Sequence, residues 1–392
     1  MELKINQSIK EQTKVSYAIE SAGPLPYDID CGEGINIVMT PPAAQKAFAE
    51  LKFEMLQPYP HSVAVKDSII HYWKGYTELN YKRIVLCDGS ISGLYLLNRL
   101  FLEKDAHVLG YVPQFSEYET DVKMYGCHFD RVTLKKENNY KFSAEDVLDA
   151  LNDSHRLVYL DNPNNPTGQV IPLAEIEKIL KAAAKLGAAV IVDEAYGDYM
   201  PKENSATSLC DAYDNLIVVK TFSKGFGLAG LRAGYLLLPE QLVPNIGNIT
   251  NPYSMSELSR SVAAKTIQDE AFLEELRSKT GALKKQLMTY PLEEHLHCGN
   301  RRNRFHLPAD PQKSRRRSGS RICQTSDFGH LRQRFLYHRT ELCTVPYPLC
   351  RGYAQGAGGA EGDRRKGLIQ TKGDRLPVLR GSAAFLFPRL SH

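Results

Sequence analysis

The sequence predicts an α/β chain. Its large domain should be a doubly wound, mainly parallel sheet, with a smaller α+β domain built from the N- and C-terminal segments. Three observations carry this. Short apolar runs alternate with helical patterns from about residue 84 to about residue 238. The run Ala188 to Val192 is wholly apolar, as central parallel strands are. Polar or aromatic residues stand just after five of those runs, where open sheets of this kind place their ligands.

In order, residues 1–27 read as a polar arm, and Asp28 to Met39 as an extended stretch. Pro41-Pro42 opens a helix that the apolar pattern carries to Leu56, and Gln57-Pro-Tyr-Pro60 breaks it. A second helix spans Val65 to Tyr76, ending near Gly75. Ile84 to Cys87 is a strand, and Asp88-Gly-Ser90 leads into an apolar helix, Leu94 to Leu102. His107 to Val112 and Cys127 to Leu134 are strands around a helix, Tyr118 to Tyr125. Ser143 caps a helix that runs to Leu151. Leu157 to Leu160 is a strand, and Leu173 to Leu186 a strongly amphipathic helix. Leu216 to Val219 and Ala233 to Leu238 are further strands, and Ser256 to Met288 is helical with an interruption at Gly281. The expected divisions are an arm and small-domain segment at 1–50, a large domain at 51–260, an interdomain helix at 261–298 and an aberrant segment at 299–392.

Composition narrows the function. Apolar residues make up 43% and charged residues 24%, ordinary for a soluble protein. The polar start, Met1-Glu-Leu-Lys-Ile-Asn-Gln7, has no apolar stretch of a leader, and no run is long enough for a membrane span. A cytoplasmic location is therefore expected. Eight scattered cysteines show no CxxC pair and no zinc spacing, so reduced thiols and no metal site are expected. The net charge of +4 is unevenly spread: residues 1–298 carry −9 and residues 299–392 carry +13.

The chemistry gathers in three stretches: Asn162-Pro-Asn-Asn-Pro-Thr-Gly168, Asp193-Glu-Ala-Tyr196 and Ser223-Lys-Gly-Phe-Gly-Leu-Ala-Gly-Leu-Arg232. Singly these are a rigid turn, a helix cap and a surface lysine. In this order and spacing they resemble the fold-type I pyridoxal-phosphate enzymes, specifically the class I/II aminotransferases. They are most similar to the histidinol-phosphate aminotransferase group, and the likeness covers roughly residues 28–298.

The resemblance implies a cofactor, pyridoxal 5′-phosphate, and a role for each matching residue. Lys224 would hold the cofactor aldehyde covalently and then shuttle a proton. Asp193 would pair with the ring nitrogen, Tyr196 and Asn165 would bond the ring oxygen, and Phe115 would cover the ring face. Gly89 and Ser90, Thr221, Ser223 and Arg232 would bind the phosphate, with help from Ser92. Tyr59 would reach the phosphate of a neighbouring subunit, which implies a homodimer with shared active sites. The substrates would be an amino acid, or an amine like histidinol phosphate, and a 2-oxo acid, with no nucleic-acid or membrane partner. Two alternatives share the scaffold: an amino-acid-phosphate decarboxylase or a C–S lyase. A third is a catalytically impaired product.

The last segment departs from the family. A small-domain strand carrying the carboxylate-binding arginine is missing from residues 299–392, and hydrophobic periodicity fades there. Reading Glu341 to Leu368 one nucleotide later, with suitable synonymous codons, gives a strand with an arginine, a charged amphipathic helix and a stop. A frameshift near residues 298–318 is therefore expected, which makes the basic charge of the tail out-of-frame translation.

Overall fold

A computed structural model describes residues 3–12, 34–289, 297–298 and 305–306. The readings made for the rest of the arm and for the basic tail lie outside the described residues.

After a short helix, α1 (Gln7–Lys10), come α2 (Pro42–Ala49) and α3 (Ala64–Tyr72). The sheet region then alternates: β1 (Ile84–Cys87), α4 (Ser90–Phe101), β2 (His107–Val112), α5 (Ser116–Met124), β3 (His128–Thr133), α6 (Ala144–Ala150) and β4 (His155–Asp161). It continues through α7 (Leu173–Lys185), β5 (Ala189–Asp193), β6 (Leu216–Thr221) and β7 (Gly234–Leu237) to α8 (Val243–Ile249), α9 (Glu257–Thr266) and α10 (Glu270–Thr289).

The seven strands form one sheet in the order β1-β7-β6-β5-β4-β2-β3. Neighbours from β3 to β6 pair in parallel, and β7 pairs antiparallel with both β6 and β1. The mainly parallel, doubly wound reading therefore holds, with β7 reversed.

Alternation on the central strands builds the two faces. Leu157, Tyr159, Ile191, Ile217 and Val219 join one apolar cluster with Leu94 and Leu97 of α4 and Tyr118 and Val122 of α5. Val158, Leu160, Val190, Val192, Leu216 and Val218 join the other, with Ile176, Ile179 and Leu180 of α7 and residues of α3 and α9. Neither face of the central strands meets water, so each carries an unbroken apolar run (residues 157–160, 189–192 and 216–219), which is why they stand out in the sequence.

Two helical expectations need correction. The helix expected to reach Leu56 ends at Ala49, and a single 3-10 turn, Phe53–Leu56, follows. The break lets Leu51 pack against Ala44, Ala47 and Val262. The interruption expected at Gly281 lies instead between α9 and α10. There the Asp269 carboxylate caps Phe272 N at 3.3 Å and also accepts from Ala43 N at 3.3 Å, so a tertiary contact breaks the helix. Among the described residues no helix is long and apolar enough to cross a membrane.

Candidate active site

The carboxyl ends of β1, β2, β4, β5 and β6 share one edge of the sheet, with the start of the reversed β7 among them. Each delivers residues singled out in the sequence.

At the β1 end, Gly89 adopts φ +81° and caps α4, whose first residue is Ser90. An added Cβ at Gly89 would lie 2.6 Å from Arg232 Nη2, so only glycine lets the guanidinium come this close. Ser92 Oγ donates back to Gly89 O at 3.1 Å. Arg232 itself sits at φ +50°, in the left-handed region, and donates to Ala229 O and Asp88 O, each at 3.1 Å. Gly234 pairs with both Cys87 and Thr221. A Cβ there would meet Ser90 N and Lys220 O at 2.8 Å, so this glycine lets β7 bring the arginine onto the helix start. Thr221 Oγ1 donates to Ser223 Oγ at 3.0 Å and has Ala233 O at 3.1 Å. The structure thus gathers hydroxyls, a forked cation and a helix N-terminus, an anion-binding set.

At the β5 end, Asp193 is buried, and its carboxylate accepts from Tyr159 Oη and Ala195 N, each at 3.0 Å. Burial pushes this carboxyl up to about 7; the Tyr159 hydroxyl opposes the rise and the Asp161 charge adds to it. Asp161, opposite it on β4, is pushed up to about 6, again by burial, against hydrogen bonds that favour its charged form. Its Oδ2 accepts from Asn165 N at 3.0 Å and Phe115 N at 3.3 Å. Phe115 and Asn165 are thereby drawn to the same place.

After β6, the Lys224 Nζ lies 5.2 Å from the centroid of the buried Tyr196 ring. Its turn is held from two sides. Asn36 N donates to Lys224 O at 3.1 Å, and Asn36 Nδ2 to Gly225 O at 2.9 Å. On the other side, Asp198 faces the backbone N–H groups of Phe226 and Gly225, and burial pushes its carboxyl up to about 7. Added Cβ atoms would lie 2.3 Å from Asp198 Cβ at Gly225 and 2.2 Å from Asn36 O at Gly227. Glycine at both positions allows this packing.

Tyr59 stands apart. It is 70% exposed and stacks on Tyr253 at 4.6 Å between centroids.

Residues 28–294 match the family model for aminotransferase class I and II. The chain belongs to the class I and II aminotransferase family. Among curated relatives, the histidinol-phosphate aminotransferase of Ruminiclostridium cellulolyticum is 31% identical over 265 residues, covering 66% of this chain and 72% of that one. That of Methanococcus aeolicus is 30% identical, covering 62% of this chain and 65% of that one. Solved structures share the fold. Histidinol-phosphate aminotransferase from Sinorhizobium meliloti, in complex with pyridoxal-5′-phosphate, has a TM-score of 0.61 at 22% identity, covering 72% and 76% of the two chains. Aspartate aminotransferase from Thermus thermophilus with maleate has a TM-score of 0.61 at 18% identity, covering 67% and 72%.

The residues of this aminotransferase-family site fit the cofactor that the family uses. A buried carboxyl with the charges of Asp161 and Glu194 beside it suits a protonated ring nitrogen. The anion set at Gly89, Ser90 and Arg232 suits a phosphate, and the Lys224 amine suits an aldehyde.

Sequence reasoning missed Asp161, Asn36, Tyr159 and Asp198. Only Asp161 left a signal, as an acid at the end of an apolar run.

The Asp193 carboxyl binds its proton more readily folded than unfolded. Its stabilising contribution is complete below the usual carboxylate range and is lost as pH rises through about 7. Relative to wild type, cofactor-free Asp193→Asn should therefore gain stability as pH rises. Urea midpoints of both proteins at about pH 5 and about pH 8 check this; a constant or shrinking difference contradicts it.

Proposed function

We propose that the chain binds pyridoxal 5′-phosphate and acts as an aminotransferase between an amino acid and a 2-oxo acid. Histidinol phosphate is the amino donor suggested by the relatives. One observation carries the reading: Asp193 and the Lys224 turn end adjacent parallel strands, β5 and β6, with Tyr196 against the lysine amine and an anion cradle at Arg232.

When bound, the cofactor supplies an aldehyde that condenses with amines and a ring that draws electrons from the substrate Cα. The Asp193 carboxylate would hold a proton at the ring nitrogen. Tyr196 and Asn165 would donate to the ring oxygen, and Phe115 would cover one ring face. The backbone N–H of Ser90, the hydroxyls of Thr221 and Ser223 and the Arg232 guanidinium would bind the phosphate, with Gly89 shaping the approach while its own N–H donates to Cys87 O at 2.8 Å. The free Lys224 Nζ, displaced by the substrate amine, would take the proton from the substrate Cα and deliver it to the former aldehyde carbon, on the far side of the shared nitrogen. A homodimer belongs to the same reading: Phe48, Phe53, Leu56 and Tyr59 expose apolar surface on one short stretch, with Tyr59 reaching the partner's phosphate.

The test is a half-reaction. The protein loaded with pyridoxal phosphate and given histidinol phosphate, or an amino acid, should release pyridoxamine phosphate on denaturation, with one ketone or 2-oxo acid product per site. Release of CO2 without pyridoxamine phosphate would favour the decarboxylase instead.

Residues 299–392 lie past the family match, which ends at 294, and we read them as out-of-frame. Resequencing the gene across codons 290–320 should reveal a single-nucleotide shift that restores the carboxylate-binding arginine. A confirmed, intact frame contradicts this.

A further inference from the structure

We propose that Asp161 is a positioning residue whose carboxylate sets Phe115 and Asn165 in place around the cofactor ring, opposite Asp193. The inference rests on the pyridoxal-phosphate reading of the site.

Asp161 ends β4 and is 4% exposed. Its Oδ2 accepts two backbone N–H groups, from Asn165 at 3.0 Å and Phe115 at 3.3 Å. These residues belong to different loops, one after β4 and one after β2. A single oxygen therefore fixes the distance between the residue that would cover the ring face and the residue that would bond the ring oxygen. The other oxygen, Oδ1, accepts from Asn164 Nδ2 at 2.8 Å. That amide also donates to Pro113 O at 3.1 Å, a second tie between the same two loops. Its orientation is set, because Asn164 Oδ1 accepts from Thr167 N at 3.0 Å and from Thr167 Oγ1 at 2.5 Å. Tyr111 on β2 donates to Asp161 O at 2.6 Å and joins the strands below.

A second carboxyl buried beside Asp193 is costly, because like charges in a dry site oppose each other. An apolar residue would avoid that cost but would leave two N–H groups and one amide without their acceptor. An ionised carboxylate accepts all three with charge-assisted strength. The Asp161 charge also raises the proton affinity of Asp193, the group that would face the ring nitrogen.

The test compares wild type with Asp161→Ala and Asp161→Asn. Hydrogen exchange in cofactor-free protein is followed in peptides spanning Phe115 and Asn165. Pyridoxal phosphate is then titrated in, giving a Kd and the visible circular dichroism per bound cofactor. Asp161→Ala should exchange at both segments at least about tenfold faster and bind pyridoxal phosphate about tenfold or more weakly. Its dichroism per bound cofactor should fall, a signature of a loosened ring that lost stability alone does not give. Asp161→Asn keeps an oxygen for the two N–H groups but turns an amide against Asn164 Nδ2, and should lie between. Unchanged exchange at both segments in Asp161→Ala, with binding within about twofold of wild type, overturns the proposal. Should Asp161→Ala not fold, Asp161→Asn decides, and wild-type exchange and dichroism in that variant overturn the proposal. Failure of wild type to bind pyridoxal phosphate strikes the cofactor reading instead, and the exchange rates still decide whether Asp161 holds the two loops.

Discussion

A carboxyl group buried at the end of a central strand, with the charges of other acids beside it, is the constraint on which the site depends. Asp193 has a hydroxyl and one backbone N–H for partners, and burial holds its proton affinity far above that of a free carboxyl. Such a group is destabilising unless a cation or a proton meets it. The sheet places it where one can: β4 and β6 flank β5 in parallel, so their ends bring Asp161 and the Lys224 turn to either side. The parallel order thus brings residues far apart in sequence to one edge.

The lysine side of the site depends on close backbone packing. Asn36, 189 residues away from Gly225 in sequence, bonds the turn that carries Lys224, and Asp198 packs beneath it. Gly225, Gly227 and Gly234 each stand where a methyl group would collide with a neighbour. These contacts hold the turn that places the amine over the Tyr196 ring. The same crowding at Gly89 and Gly234 presses Arg232 onto the start of α4, with the arginine in a backbone conformation uncommon for its type.

Much of this was legible in the sequence, for physical reasons. All the strands but the edge strand β3 bury both faces over most of their length, so their apolar runs give bounds within two residues or so, as at Ile84–Cys87 and His107–Val112. The three motifs carry the charged side chains that the structure brings to one edge of the sheet, so Lys224, Asp193 and Arg232 could be named. What stayed hidden is held by partners remote in the chain. The break before α10 follows from Asp269 reaching Ala43, 226 residues away. Asp161 bonds Phe115 across 46 residues, and nothing local distinguishes it from any strand-ending acid. The role expected of Tyr59 belongs to a second copy of the chain, and within one chain its ring stacks on Tyr253.

The central claim is that Lys224 is the residue that holds the cofactor. It is tested most directly by incubating the protein with pyridoxal phosphate, reducing it with borohydride, digesting it and mapping the modified lysine by mass spectrometry. The account predicts a phosphopyridoxyl group on the peptide containing Lys224, at close to one per chain, and its loss in Lys224→Ala. Modification spread over surface lysines, or centred on another residue with Lys224 unmodified, would contradict it.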